Sequence, residues 1–333
     1  MNTEGFGSMI NQISRGISTA VAVTLLSTPF LAGATALENS PIGSNSALQN
    51  LMTTASTTVA LPKDLQPQLS SAQYDLFERL DRLKKGCLVD FHSTTATGSR
   101  PSDETCTFGD RQAKKLVVLY GDAHAAMWLP ALDILGAKQH FRVLVVTRAS
   151  CLIASIGVWN WAAKGPSPAC RQFGGWAIRH INQLHPSTVI ISDASNGYQR
   201  DPQHRIISQH RYAAAMTETF KKLHAPERAL IFIGRTPQLP SKGPECLAAH
   251  PSSVLSCGVT VSAYKGTLSR FEESSALAGG AKFVSSEKWL CSLTFCPAVV
   301  GNTVVYVDNQ QVSRTFSRAL STIIGQDLGS STF

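Results

Sequence analysis

From residue 115 onward, short apolar runs alternate with longer segments of helical spacing. No other feature limits the fold of this chain as strongly. The apolar runs are Leu116–Tyr120, Val143–Thr147, Thr188–Ser192, Ala229–Gly234 and Lys282–Val284. Between them the spacing predicts helices over Ala123–Lys138, Cys170–His185, Arg205–His224 and Val261–Ser275. Strands divided by helices are joined by right-handed βαβ crossovers, which builds a parallel sheet covered by helices on both faces. The expected fold class is therefore α/β. Before this region, Tyr74, Phe77, Leu80 and Leu83 recur at helical spacing and predict a helix over Ser71–Lys85. After it, "AVVGNTVVYVD" reads as a hairpin turning at Gly301-Asn302, followed by a last helix over Val312–Ile324.

An open sheet of this kind takes its ligand beyond the C-terminal ends of the strands. Three stretches far apart in sequence are expected there: Gly121-Asp122-Ala123, the loop Ser192–Gly197, and Asp308–Gln311. The first lies within "LVVLYGDAHAAMWLPALDIL", an apolar strand, a sharp turn and an apolar helix. Several hydrolase folds expose a serine nucleophile at such a corner. Here that position holds Ala123.

The eight cysteines fall in neighbouring pairs along the chain: Cys87 and Cys106, Cys151 and Cys170, Cys246 and Cys257, Cys291 and Cys296. No CxxC occurs and no histidine stands at zinc-like spacing from them. Sequential pairing is the simplest of the roughly 105 connectivities open to eight cysteines, and four local disulfides suit an oxidising compartment. The N-terminal run Ile17–Ala36 is apolar and ends in small residues, with Arg15 before it and an A-x-A at Ala34 and Ala36. Residues 1–36 are accordingly expected to be a signal peptide or N-terminal anchor, in a periplasmic or secreted protein. Residues 37–71, rich in Ser, Thr, Ala, Asn and Pro, read as a flexible linker, and 72–328 as the folded domain. The net charge of +8 favours anionic partners such as an acidic glycan. Basic residues are scattered rather than interleaved with aromatics, which argues against nucleic acid.

The order of motifs in the folded region resembles the SGNH domain fused to, or accompanying, bacterial membrane O-acyltransferases that acetylate cell-surface polysaccharides. That family opens with a strand and G-D-S-H-A, matched by Gly121-Asp122-Ala123-His124-Ala125 and the helix through Trp128 to Leu132. A strand leading to "tkasC" is matched by Thr147-Arg148-Ala149-Ser150-Cys151, with Cys170 opening a helix. A cysteine pair, a hairpin ending "lvYrD" and then D-x-x-H are matched by Cys291, Cys296, Val304–Asp308 and Gln311. The likeness runs from about Cys87 to Ile324. It implies a three-layer, flavodoxin-like parallel sheet flanked by helices, an acylated glycan as partner, and a membrane acyltransferase as a further one. It implies no cofactor and no metal.

Two departures fall on the residues that carry the family's chemistry. The serine and the histidine of its triad stand at positions 123 and 311, where this chain has Ala123 and Gln311. An alanine has no oxygen to attack with, and an amide does not titrate near neutral pH and cannot act as a general base. Of the triad only Asp308 remains. The expectation is a degenerate domain that binds or presents acylated glycan without serine-based turnover. The alternative is an active esterase or transferase that uses a substitute base such as His124 with water. The backbone amide of Ala123, at a helix N-terminus, still favours negative charge. Gly157 and Asn196 are candidate further donors to the cleft, with Asn160 a rival. A metal bound by Asp122, His124 and Asp308 has no support from ligand spacing.

Several other residues have plainer expectations. Trp159 and Trp161 are expected to pack on the domain, with sugar stacking as the alternative. His204, His210 and His224 are expected to be solvated on a polar helix, and Arg314 with Arg318 to form a wet basic face. Glu272 and Glu273, adjacent on a helix, point apart and form no catalytic pair.

Overall fold

The computed structural model of the chain describes residues 41–76, 86–154, 156–160, 164–194, 200–264 and 267–329. The expected signal or anchor at 1–36 lies outside the described residues, as do most of the helix expected over Ser71–Lys85, Trp161 and Asn196. Seven strands form the central sheet: β1 (Leu88–Val89), β2 (Thr107–Gly109), β3 (Lys115–Gly121), β4 (Phe141–Arg148), β5 (Thr188–Ser192), β6 (Ala229–Ile233) and β7 (Lys282–Val284). The order is β1-β4-β3-β5-β6-β7. All of these neighbours are parallel. β2 pairs antiparallel with β4. Because β3 lies between β4 and β5, the chain winds one way from β3 to β4 and the other way from β5 onward. This is the flavodoxin-like order, and its reversal between β3 and β5 opens a crevice at their C-terminal ends.

The strands are buried on both faces, so they read as unbroken apolar runs instead of alternating ones. Val117–Tyr120, Val143–Val146 and Val189–Ile191 are almost fully buried. The principal helices are α1 (Asn45–Ala55), α2 (Ala123–Ala126), α3 (Leu129–Gln139), α4 (Pro168–Leu184), α5 (Gln209–Leu223), α6 (Thr267–Ala278), α7 (Arg314–Ala319) and α8 (Ser321–Leu328). α3 packs with α7 and α8, while α5 packs with α4 and α6. Among the described residues no helix is long and apolar enough to cross a membrane.

The helix expected over Ala123–Lys138 is two helices. Pro130 has no N–H for the carbonyl of Ala126 and its ring crowds that carbonyl, so the first helix ends there and a second begins with Pro130 in its first turn. The helix expected from Arg205 begins instead at Gln209, where the Ser208 hydroxyl accepts the amide of Arg211 and caps it. The last helix begins at Arg314 behind the cap Ser313, and divides at Leu320. The hairpin turns at Gly301-Asn302 as its sequence suggests, with Val299 and Val300 opposite Val304 and Thr303.

The stretch read as a linker is folded where it is described. α1 is capped by Ser44 and buries Leu48, Met52 and Ala55. Downstream, the Gln66 amide donates to the Asn302 carbonyl, and the Asn302 side chain donates to Asp64. Three apolar residues on one helical face hold this segment against the domain despite its polar composition.

The four sequential cysteine pairs are disulfides: Cys87–Cys106, Cys151–Cys170, Cys246–Cys257 and Cys291–Cys296. The first joins the lead-ins to β1 and β2, which share the outer edge of β4. Such a disulfide set belongs to an oxidising, extracytoplasmic compartment.

Candidate functional site

The site is built at the β3–α2 corner. β3 and β5 remain in register to their ends, where Gly121 faces Ser192. A β-carbon on Gly121 would fall 1.8 Å from the Ser192 carbonyl oxygen, and the backbone there has φ +148°. Only glycine fits this approach and this φ. The next residue, Asp122, caps α2: its Oδ1 accepts the His124 amide at 2.7 Å. Its Oδ2 accepts the amide of Ala194 at 3.2 Å, which ties the corner to the loop after β5. From Gly121 to Pro130 every residue except Ala123 is buried; Ala123 is partly exposed. The part of this corner left open to solvent is thus the methyl group of Ala123.

His124 is 5% exposed, and its Nδ1 lies 3.5 Å from Asp122 Oδ1, too far for a good hydrogen bond. Neither ring nitrogen has a hydrogen-bond partner. Burial by itself disfavours the protonated ring, but the carboxylates of Asp122, Asp308 and Asp193 together outweigh it and raise the imidazole's pKa.

Asp193 was not singled out in the sequence. It follows β5 directly and is fully buried. Its Oδ2 accepts the Ile153 amide at 2.9 Å and the Tyr212 hydroxyl at 2.6 Å. Burial, and next the Asp193 charge, push the Tyr212 phenol well above its usual range. The signal available was positional: an acid immediately after an apolar strand at the ligand edge.

The third loop arrives from the far end of the chain. Tyr306 and Val312 bridge across its neck, and the Val307 amide donates to the Gln311 carbonyl. Asp308 Oδ1 accepts the amides of Gln310 at 2.8 Å and Gln311 at 2.6 Å, which fixes the turn. The segment after β6 pins the loop: Gly243 donates to the Asp308 carbonyl, Leu239 to that of Asn309, and the Thr236 hydroxyl to that of Gln310. The Val312 amide contacts Met127 Sδ at 3.3 Å, which joins this loop to the residue that ends α2. The fold therefore brings the loop that carries Asp308 and Gln311 against the end of α2. Asp308 is close enough to His124 to act on its charge.

The other expected cleft residues are less directly placed. Gly157 abuts Pro202, whose Cγ would lie 2.9 Å from a β-carbon there, and no described contact brings it to Ala123. Asn160 ends a short strand, Val158–Asn160, paired with Gly165–Ser167. Trp159, on the same strand, donates its amide to the Arg200 carbonyl and sets its indole edge-on to His204 at 4.7 Å. His204 is exposed as expected, but it lies in a turn closed by Asp201 beside the Trp159 ring and not on the helix. His210 has the Phe271 ring at 6.4 Å, and His224 caps the end of α5. Arg314 corrects a second expectation. It is 5% exposed, with the buried Asp75 carboxylate 3.9 Å away and also accepting the Thr315 amide. Glu272 is buried and Glu273 exposed, so the two point apart. Among the described residues no group of three or more His, Cys, Asp or Glu could hold a metal ion.

Chemically the corner can receive a partial negative charge at the start of α2, but no described side chain at position 123 or 311 can attack an acyl carbon or remove a proton. A search of curated proteins finds no match. Among solved structures the chain is similar to the periplasmic domain of the lipopolysaccharide acetyltransferase of Salmonella ser. Paratyphi A. The identity is 17% and the TM-score 0.54, over 78% of this chain and 98% of that one, a likeness of fold. The family model of the SGNH domain fused to AT3 domains matches residues 87–326. By that match, which takes in β1 through most of α8 with every loop of the site, the chain belongs to the SGNH domains of the kind fused to AT3 domains.

Proposed function

We propose that this chain is a degenerate SGNH-type acyltransferase or esterase domain that binds or presents acylated cell-envelope glycan without serine-based turnover. The observation that carries the reading is the partly exposed methyl of Ala123 in an otherwise buried corner. The frame around it persists: Gly121 and Asp122 hold the turn, and Asp308 holds the loop that carries Gln311. A cleft with this frame and no nucleophile can hold an acyl ester or a sugar hydroxyl without consuming it. The disulfides and the named activity of the structural neighbour favour a periplasmic or secreted setting beside a membrane acyltransferase. Turnover through His124 is disfavoured. The ring is 5% exposed, so burial keeps it from a substrate.

The test is hydrolysis of an activated acetyl ester by the full-length protein, Ala123→Ser, Ala123→Ser with Gln311→His, and His124→Ala. The native form is expected to be inert, Ala123→Ser to gain little, and the double change to gain at least about 100-fold over Ala123→Ser, the usual worth of a positioned base. Turnover by the native form that His124→Ala abolishes would sink the reading.

A further inference from the structure

We propose that the turn at residues 200–206, together with Trp159 and Arg211, forms a subsite for an acidic sugar beside the cleft; this rests on the glycan-binding reading above. The turn is closed by an antiparallel bridge between Arg200 and Ile206 and by the Asp201 amide donating to the Arg205 carbonyl. Inside it, Asp201 is 1% exposed. Its Oδ1 accepts the amides of Gln203 and Arg205. Its Oδ2 accepts Arg205 Nε at 3.0 Å, Arg205 Nη2 at 2.8 Å and Arg211 Nη1 at 3.0 Å. These contacts drive the Asp201 carboxyl well below the usual carboxylate range, with the Arg205 hydrogen bond the largest cause.

One buried carboxylate thus fixes two guanidinium groups whose side chains remain 70% and 49% exposed. A third, that of Arg200, donates to the His204 carbonyl in the same turn. The cluster is net cationic, and although the Nε–Nη2 edge of Arg205 is taken by Asp201 and Gln203, its guanidinium groups are held in place before any ligand arrives, which lowers the ordering cost of binding a carboxylate. Next to it stands Trp159, partly exposed, and Ile206 is 63% exposed. Aromatic and apolar surface beside oriented guanidinium groups suits a sugar ring that carries a carboxylate.

The position of the cluster links it to the cleft. Arg211 precedes Tyr212, whose hydroxyl binds Asp193 at the end of β5, opposite Gly121. The Trp159 strand follows Ile153, whose amide binds the same carboxylate. Both halves of the cluster are therefore tied, through Tyr212 and Ile153, to the carboxylate that follows β5.

The test measures binding of the full-length protein to a size-defined oligogalacturonate and to its uncharged methyl ester by titration calorimetry. The acid form is expected to bind at least about tenfold more tightly at about 50 mM salt, with the gap closing by about 300 mM. Arg205→Gln with Arg211→Gln is expected to remove about tenfold of the acid form's affinity, while Arg111→Gln, at the other end of the sheet, changes nothing. Arg205→Lys with Arg211→Lys keeps the ion pairs that hold the turn folded and is expected to lose several-fold. Equal binding of the two oligomers overturns the proposal, as do unchanged affinities in both double variants. Binding to phosphatidylglycerol vesicles in place of the oligogalacturonate does so too. Failure here is separable from failure of the broader reading: an inert native protein that ignores the acidic oligomer loses this subsite only, whereas native ester turnover refutes the broader reading whatever the oligomer does.

Discussion

Replacing Gly121 with alanine tests whether backbone crowding builds the corner. The new β-carbon would meet the Ser192 carbonyl oxygen at 1.8 Å and the Ala125 β-carbon at 2.9 Å. Relief requires β3 and β5 to part by more than an ångström at their last rung, Gly121 opposite Ser192. That opening sacrifices one or two backbone hydrogen bonds at about 1 kcal/mol each. The φ of +148° adds about 1–2 kcal/mol for a residue with a side chain. The expected loss is about 3 kcal/mol, read as a lowered urea midpoint with the disulfides intact. Gly175→Ala is the matched control: it lies inside α4, where an added β-carbon meets only Arg179 Nη1 at 3.5 Å. It is expected to gain about 0.5–1 kcal/mol. If Gly121→Ala loses less than about 1 kcal/mol, the strands part easily and the seat is not set by this approach.

Other perturbations follow from the same geometry. His124 binds its proton more tightly in the folded chain than in the unfolded one, so its stabilisation is full below about pH 6.5 and fades as pH rises through its folded pKa. The native protein should therefore lose more stability than His124→Gln between acidic and alkaline pH; parallel curves would show that His124 does not titrate this way. Tyr212→Phe leaves the buried Asp193 charge one donor short and is expected to cost about 2 kcal/mol, but less than about 1 kcal/mol in an Asp193→Asn background. A cost unchanged by Asp193→Asn would place the hydroxyl's contribution elsewhere. Removing the Cys87–Cys106 disulfide by paired serines frees a loop spanning 19 residues and is expected to cost about 3 kcal/mol, again read from urea unfolding.

The parts of this fold that local pattern governs were legible in the sequence. The run at Thr188–Ser192 is β5 residue for residue, because a strand buried on both faces reads as a continuous apolar segment, and Lys282–Val284 is the short edge strand β7. Pro130 already marked the end of α2, although the apolar run through it suggested one helix. What escaped was set by partners distant in sequence. Arg314 looked like a surface charge because its partner, Asp75, lies more than 200 residues earlier. The clamp on Asp201 uses Arg205 and Arg211, whose spacing suits one helix, yet the buried carboxylate bends the chain into a turn before the helix begins. α1 had its signal in Ser44 and in Leu48, Met52 and Ala55 at helical spacing, outweighed by the polar residues around them. In the site, positions 121 to 124, 308 and 311 could be read as a unit, whereas Asp193 became visible only once β5 stood beside β3.

That division bears on what the missing serine means. The corner is held by the Gly121 approach, by both oxygens of Asp122, and by the burial of His124 and Ala125. None of these contacts involves a side-chain atom at position 123. Alanine there leaves every one in place, so the corner keeps its shape without a nucleophile. Further support for a ligand comes from charged groups that reach solvent. The guanidinium groups of Arg205 and Arg211 are such groups: they are oriented by a buried carboxylate, yet their side chains stay largely exposed. The amides of Gln203 and Arg205 occupy one oxygen of that buried acid, and the two guanidinium groups satisfy the other. The same contacts hold exposed cations still, and a fixed, exposed cation is suited to meeting an anion.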